Sequence, residues 1–373
     1  AVVGAEEESS GSFQTMRVLG LASYPIEAAA TRYRLAQYVA PLRPHGIELV
    51  IAPFLDSQAF ASLYERKAAV KNALALLKAT AKRILDLAEM ARADVLLVQR
   101  EAMMFGPPFI EWCATHAFKR PMVLDLDDAT YVRYVSPTYG RLAAALKWFS
   151  KTDDLIEWAS LVVCGNRAIE EYVAGKKRPT ILIPTIVNTD IFRPAARKTG
   201  REVVIGWIGT HSTFPYLESI FPVLAKLARA YRFHLKVVGS GRRELKLPGV
   251  SVENRSWSLE RELSDLQSFD IGLYPIVADA WALGKSGFKA IQYMSVGIPY
   301  VVTPVGVCAE IGEPGVTHFN ATTEDEWYEA LARLIEDEEL RRRMGRAGRE
   351  HALKHYSLLE HAARLAGALK SVR

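Results

Sequence analysis

Cysteine is scarce in this chain. Three residues among 373, Cys113, Cys164 and Cys308, are too few and too scattered for a disulfide framework, and they fit a reducing compartment. Long apolar runs are missing too: none approaches the ~18 residues of a membrane span. The eight histidines show no metal-ligand spacing, and there is no Gly-x-Ser-x-Gly elbow. Neither zinc-finger spacing nor an RNA-binding aromatic signature accompanies the net charge of +5. That modest charge accommodates an anionic ligand or a membrane surface without calling for nucleic acid. Repeats are absent, and low complexity is confined to the first 15 residues. With Glu6-Glu7-Glu8-Ser9-Ser10-Gly11-Ser12 among them, these read as a tail or expression remnant ahead of a natural start at Met16.

What is present is alternation. Short β-rich runs at 17–21, 48–52, 95–99, 122–126, 161–164 and 180–183 are separated by helical patterns at 32–42, 68–92 and 139–159. A second series begins at 203–206 and continues at 234–238, 250–253, 271–274 and 300–303. Such alternation predicts α/β architecture with parallel sheets under helices, and its restart predicts two doubly wound, Rossmann-like domains. The chain is also longer than one core usually supports. The expected division is a tail at 1–15, a first domain at 16–193, a linker at 194–202 rich in Ala, Lys and Arg, and a second domain at 203–355. Ligands in such sheets bind beyond the carboxyl ends of the strands, which places the loops at Gly209, Gly239 and Gly284 on one cleft edge.

The densest chemistry lies in the segment 284–303. Gly284-Lys285-Ser286-Gly287-Phe288-Lys289 reads as a glycine-hinged loop opening a short helix, followed by a turn at Gly297-Ile298-Pro299 and a buried strand. Ser286 is placed to cap that helix, and its free first-turn N–H groups then form an anion site. Lys285 and Lys289, four residues apart, would share a helix face with Gln292 three further on. Two cations, a helix start and an amide suit a diphosphate bearing a hydroxyl-rich group, with Gln292 able to bond a ribose. Solvated surface charge is the alternative for both lysines. Gly239-Ser240-Gly241 after an apolar strand is a weaker phosphate-loop pattern. Trp207 reads as core beneath the nucleotide.

The same segment, with Ser295-Val296-Gly297-Ile298-Pro299, Val301-Val302, Pro304-Val305-Gly306 and Glu310, resembles the donor site of the retaining family-4 glycosyltransferases of GT-B fold. The similarity extends upstream through 204–209, 237–241 and 269–273 and downstream to Tyr356-Ser357, so it covers most of 203–357. It implies a GT-B enzyme with two Rossmann-like domains facing a cleft and a last helix, within 356–373, crossing back to the first domain. It implies donor-binding roles for Gly209, Thr210, Gly239, Gly241, Ser286, Gly287, Phe288 and Gln292, with Lys285 and Lys289 at the leaving diphosphate. Two features depart from the family pattern. Its two glutamates, eight positions apart, correspond here to Gly284 and Gln292. Its Arg and Lys after the first strand of the second domain are absent from Gly209-Thr210-His211-Ser212-Thr213, and Lys285 and Lys289 are expected to supply that charge.

First-domain candidates are fewer. Asp125-Leu126-Asp127-Asp128 ends an apolar strand and contains an Asp-x-Asp pattern, which can hold a divalent ion. Because a second α/β series carries the phosphate signature, we read it instead as a cleft loop, with Asp127 or Asp128 near the acceptor hydroxyl and no metal. Capping of a neighbouring helix is the alternative. Thr31-Arg32-Tyr33-Arg34 resembles a segment that opens the first helix facing the cleft in a subset of family-4 enzymes. Arg32 and Arg34 are then acceptor-side candidates, with ordinary surface arginine as the alternative. The apolar, lysine-bearing pattern at 68–92 suits either an anionic membrane or a globular surface. The arginines at 341–349 read as a solvated helix face balanced by 336–339.

The expected activity is transfer of a sugar from a nucleoside diphosphate sugar to the hydroxyl of a glycan or lipid-linked acceptor, with retention and with no cofactor required. The site is expected to be cytoplasmic, with possible peripheral contact at the inner membrane face. A nucleotide-sugar 2-epimerase of the same fold, or a degenerate nucleotide-binding module, are the rival readings.

Overall fold

The protein is described by a computed structural model covering residues 15–63, 69–133, 147–196, 202–278 and 280–373. Residues 1–14 of the expected tail, and the part of the expected linker at 197–201, lie outside these residues, as does 139–146 of the third helical pattern. Two six-stranded, wholly parallel sheets organise the chain. The first comprises β1 (Met16–Ala22), β2 (Ile47–Pro53), β3 (Val95–Gln99), β4 (Met122–Leu126), β5 (Leu161–Cys164) and β6 (Thr180–Leu182), in the order β2-β1-β3-β4-β5-β6. The second comprises β7 (Val203–Ile208), β8 (Phe233–Val238), β9 (Ser251–Arg255), β10 (Ile271–Tyr274), β11 (Tyr300–Val302) and β12 (His318–Asn320), in the order β12-β11-β10-β7-β8-β9.

The central strands are apolar on both faces because both faces are buried. Val95–Gln99 and Met122–Leu126 are buried along their whole length. In a parallel sheet this produces continuous hydrophobic runs rather than alternation. Strand order reverses between β1 and β3 in the first sheet and between β7 and β10 in the second, which opens a crevice at the carboxyl edge of each. β12 escapes the sequence reading because it is a three-residue edge strand with a single buried residue, His318.

Two helical patterns are more broken than their periodicity predicts. The stretch at 32–42 divides into Ala29–Arg34, a 3-10 turn at Ala36–Tyr38, and Val39–Leu42. That at 68–92 divides at Asp86 into Ala69–Leu85 and Leu87–Arg92. The last helix, Leu358–Lys370, begins on Ser357, whose side chain accepts from Glu360 N at 3.4 Å. Its apolar face, Leu358, Ala362, Leu365 and Leu369, joins Met16, Val18 and Leu42 in the core of the first sheet, so the chain does cross back. The outward crossing falls at 186–192. Ile186 packs in the first core, whereas Val187 and Phe192 pack in the second.

Candidate functional site in the cleft

The donor-side segment folds as a loop followed by the helix Phe288–Ser295. Its N-cap is Gly287 in the left-handed region at φ 63°, not Ser286, and no side chain caps it. A Cβ at Gly287 would also fall 2.2 Å from Ile311 Cδ1. The expected Ser286 cap is therefore corrected: the tight left-handed turn occupies the cap position, and Ser286 lines the pocket ahead of it. Lys285 accordingly precedes the helix instead of sharing its face with Lys289. The turn brings the two lysines together all the same, onto one open pocket of about 580 Å³.

Around that pocket the second domain supplies Lys285, Ser286, Phe288 and Lys289, with aromatic walls from Trp207, Tyr216 and Tyr274. Lys285 Nζ stands 4.1 Å from the Trp281 ring centre, and Lys289 Nζ 5.0 Å from that of Tyr274. Such contacts hold a cation without neutralising it. Lys289 has no ion pair among the described residues. Partly exposed as a residue, it nevertheless has its ammonium desolvated by the surrounding protein. That burial, then repulsion from Lys285, brings its pKa down to about 8.

The opposite wall comes from the first domain: Arg100, Asp127 and Asp128. Arg100 follows β3 with φ 62°, a left-handed conformation that is uncommon for a side-chain-bearing residue. Its guanidinium grips Asp127 at two points, Nε to Oδ1 at 2.6 Å and Nη2 to Oδ2 at 2.9 Å, while Gln99 donates to Oδ1 at 3.0 Å. Burial alone would raise the pKa of Asp127, but the Arg100 charge and hydrogen bonds outweigh it and hold the group below the usual carboxylate range. Asp128 differs. Burial raises its pKa against Arg100 and Lys285, and it keeps some exposure to the pocket. Of the two expected acceptor-side carboxylates, then, Asp127 spends its lone pairs within the wall and Asp128 is the more available.

Arg34 is a correction. It is buried and held by Asp125 and by Ile183 O at 2.7 Å, so it braces the first sheet and does not face an acceptor. Arg32 sits at the domain boundary, with Nη2 2.9 Å from Glu262 Oε2 and the guanidinium over the Tyr33 and Trp257 rings. Glu262 also accepts from Tyr33 Oη at 2.9 Å and from Gln292 Nε2 at 3.3 Å. Gln292 is corrected likewise: it is buried and its amide is committed to Glu262, outside the pocket lining. Gly209, Thr210, Gly239 and Gly241 also lie outside that lining, in adjoining loops where Thr213 alone reaches the pocket. The Asp-x-Asp carboxylates are each turned to an arginine, and among the described residues no three His, Cys, Asp or Glu side chains form a metal-holding group.

The domains touch across the cleft. Asn166 Nδ2 donates to Gly284 O at 2.9 Å and to Lys285 O at 3.1 Å, and the Tyr33 and Phe288 rings are 4.5 Å apart. A Cβ at Gly284 would lie 2.2 Å from that of Ala129. The first domain therefore fills the space in which the common glutamate would stand.

Residues 202–337 match the family model for glycosyl transferases group 1. The protein is a glycosyltransferase. No curated protein sequence matches the chain. Solved structures resemble it over nearly its whole length. A glycosyltransferase from Rickettsia africae is 14% identical with a TM-score of 0.70, covering 96% of this chain and 99% of that one. HepE from Anabaena, in complex with UDP-glucose, is 15% identical with a TM-score of 0.68, covering 95% and 100%. Sucrose-phosphate synthase from Thermosynechococcus elongatus is 13% identical with a TM-score of 0.68, covering 95% and 98%. At such identities the likeness carries the fold, which is GT-B.

Sequence reading missed Arg100 and Glu262. Both are ordinary charged residues by local context. The only signal for Arg100 was its place immediately beyond a buried parallel strand, where clefts form.

Proposed function

We propose that this glycosyltransferase moves a sugar from a nucleoside diphosphate sugar to an acceptor hydroxyl with retention of configuration, as the family-4 resemblance implies. The observation that carries the reading is the convergence of Lys285, Lys289 and the first turn of the Phe288–Ser295 helix on one pocket. Those groups offer two cations and the positive end of a short helix to a departing diphosphate. Stabilising that charge lowers the barrier without a metal, since the donors are already oriented before reaction. The diphosphate itself takes the proton from the acceptor hydroxyl as the glycosidic bond forms. Asp128 and Arg100, across the pocket, orient the acceptor. Tyr216 and Phe288, both partly exposed, give the sugar and base apolar surface to rest on, with Trp207 packed in the core beneath.

UDP-sugars are the first donors to try, because HepE was solved with UDP-glucose. The acceptor is a glycan or a lipid-linked sugar in glycan or glycolipid biosynthesis, met from the cytoplasmic side. Thermal-shift screening of uridine, guanosine, adenosine and thymidine diphosphates tests the reading. A nucleotide at 100 times its dissociation constant should stabilise the protein by about 2.7 kcal/mol. No shift with any of the four would sink it.

A further inference from the structure

The helix Ala69–Leu85 contains Lys71, Lys78, Lys82 and Arg83 and no acidic residue. Its inner face is fixed by Asn72, bonded to Ser62 and Leu63, by buried Ala79, and by Arg83. The outer face is the unusual one. Val70, Leu74, Leu77, Ile84 and Leu85 are each between 52% and 77% exposed. At 3.6 residues per turn these five, with exposed Ala81, fall on one stripe about 100° wide. Lys71, Lys78 and Lys82 run along one border of it. An exposed patch of this size on a soluble protein marks an interaction surface.

Its place in the fold says what it would meet. Arg83 donates to Ala52 O at 2.9 Å and Ala22 O at 3.1 Å, and Lys82 to Pro53 O at 3.3 Å. These are the carboxyl ends of β1 and β2, the same sheet edge from which Arg100 and Asp127 enter the cleft. We infer that this helix docks on an anionic bilayer, with its aliphatic stripe in the interface and its lysines at the headgroups, holding the first-domain side of the cleft toward a lipid-anchored acceptor. A second copy of the chain fits the stripe less well, because it would bring the same row of cations against these. The docking inference rests on the transfer reading only for the acceptor.

Vesicle flotation tests it with phosphatidylcholine alone and with 30% phosphatidylglycerol added. The protein should float with the anionic vesicles and lose binding at high salt. Leu74→Glu/Leu77→Glu, at exposed positions, should cut partitioning at least tenfold. Each of Lys71→Ala, Lys78→Ala and Lys82→Ala should weaken it roughly fivefold. Nucleotide thermal shift on the same samples separates the two proposals: vesicle binding without nucleotide binding sinks the donor reading and leaves the docking face standing. The docking inference is overturned if the wild-type protein ignores anionic vesicles, or if the double glutamate variant, with an unchanged melting temperature, floats as well as wild type. It is equally overturned if light scattering shows a dimer that this variant abolishes while no vesicles bind.

Discussion

On the first-domain wall of the cleft every named cation is matched within the wall or at the boundary: Arg34 by Asp125, Arg100 by Asp127, Arg32 by Glu262. On the second-domain wall Lys289 has no carboxylate partner among the described residues, and Lys285 and Lys289 rest on aromatic rings. The first arrangement is complete without a ligand, so its charge serves rigidity and the placing of side chains. The second accumulates positive charge in a desolvated pocket and is relieved when an anion arrives. The charged residues of the two walls thus do different work, and what separates Lys289 from the arginines is whether a carboxylate partner is built in.

The largest expected effect breaks that contrast on the first wall. Arg34→Met should leave the Asp125 carboxylate buried and unmatched, costing about 3–5 kcal/mol in urea unfolding. Normal stability with lost transfer would instead make Arg34 part of the reaction. On the second wall, Lys289→Ala should unfold like wild type yet lower kcat by roughly a hundredfold, about 3 kcal/mol of transition-state stabilisation. Full turnover in this variant would return Lys289 to the status of an ordinary surface charge. Gly284→Glu sharpens the boundary between the walls. Because its Cβ would meet Ala129, it should hold the domains apart, expand the molecule in small-angle scattering and reduce kcat/KM on the order of tenfold, with nucleotide still bound. A glutamate variant as compact and active as wild type would show that the cleft yields easily.

The smallest effect is a proton. Free Lys289, with its pKa down to about 8, is half deprotonated near that pH, and a bound diphosphate should raise its pKa. The ammonium contribution to affinity is therefore full below pH 8 and fades as pH rises through it. Calorimetry in buffers of differing ionisation enthalpy at pH 8 should register uptake of about half a proton per nucleotide bound. No uptake would mean that Lys289 does not sense the ligand.

Much of the architecture was legible because buried parallel strands are apolar throughout. All eleven expected strands are present, and only the edge strand His318–Asn320 went unread. At the site, Lys285 and Lys289 were legible because a glycine-rich loop ahead of a short helix is a local feature. Ser286 misled because two backbone angles at Gly287 decide the cap, and hydroxyl preference has no bearing on them. Gln292 and Arg34 misled for another reason: their partners, Glu262 and Asp125, lie 30 and 91 residues away. Pairings at such separations are set by the packing of whole domains, and a sequence motif does not record them.

The helix Leu358–Lys370 has a consequence for the order in which the protein can be made. It lies among Met16, Val18 and Leu42, so the first sheet to leave the ribosome keeps an open apolar seam while the whole second domain is synthesised. Only the arrival of Leu358, Leu365 and Leu369 closes that seam. The nascent first domain must wait, sticky along one side, for the piece that completes it. This is the interval in which a chaperone would be expected to hold it.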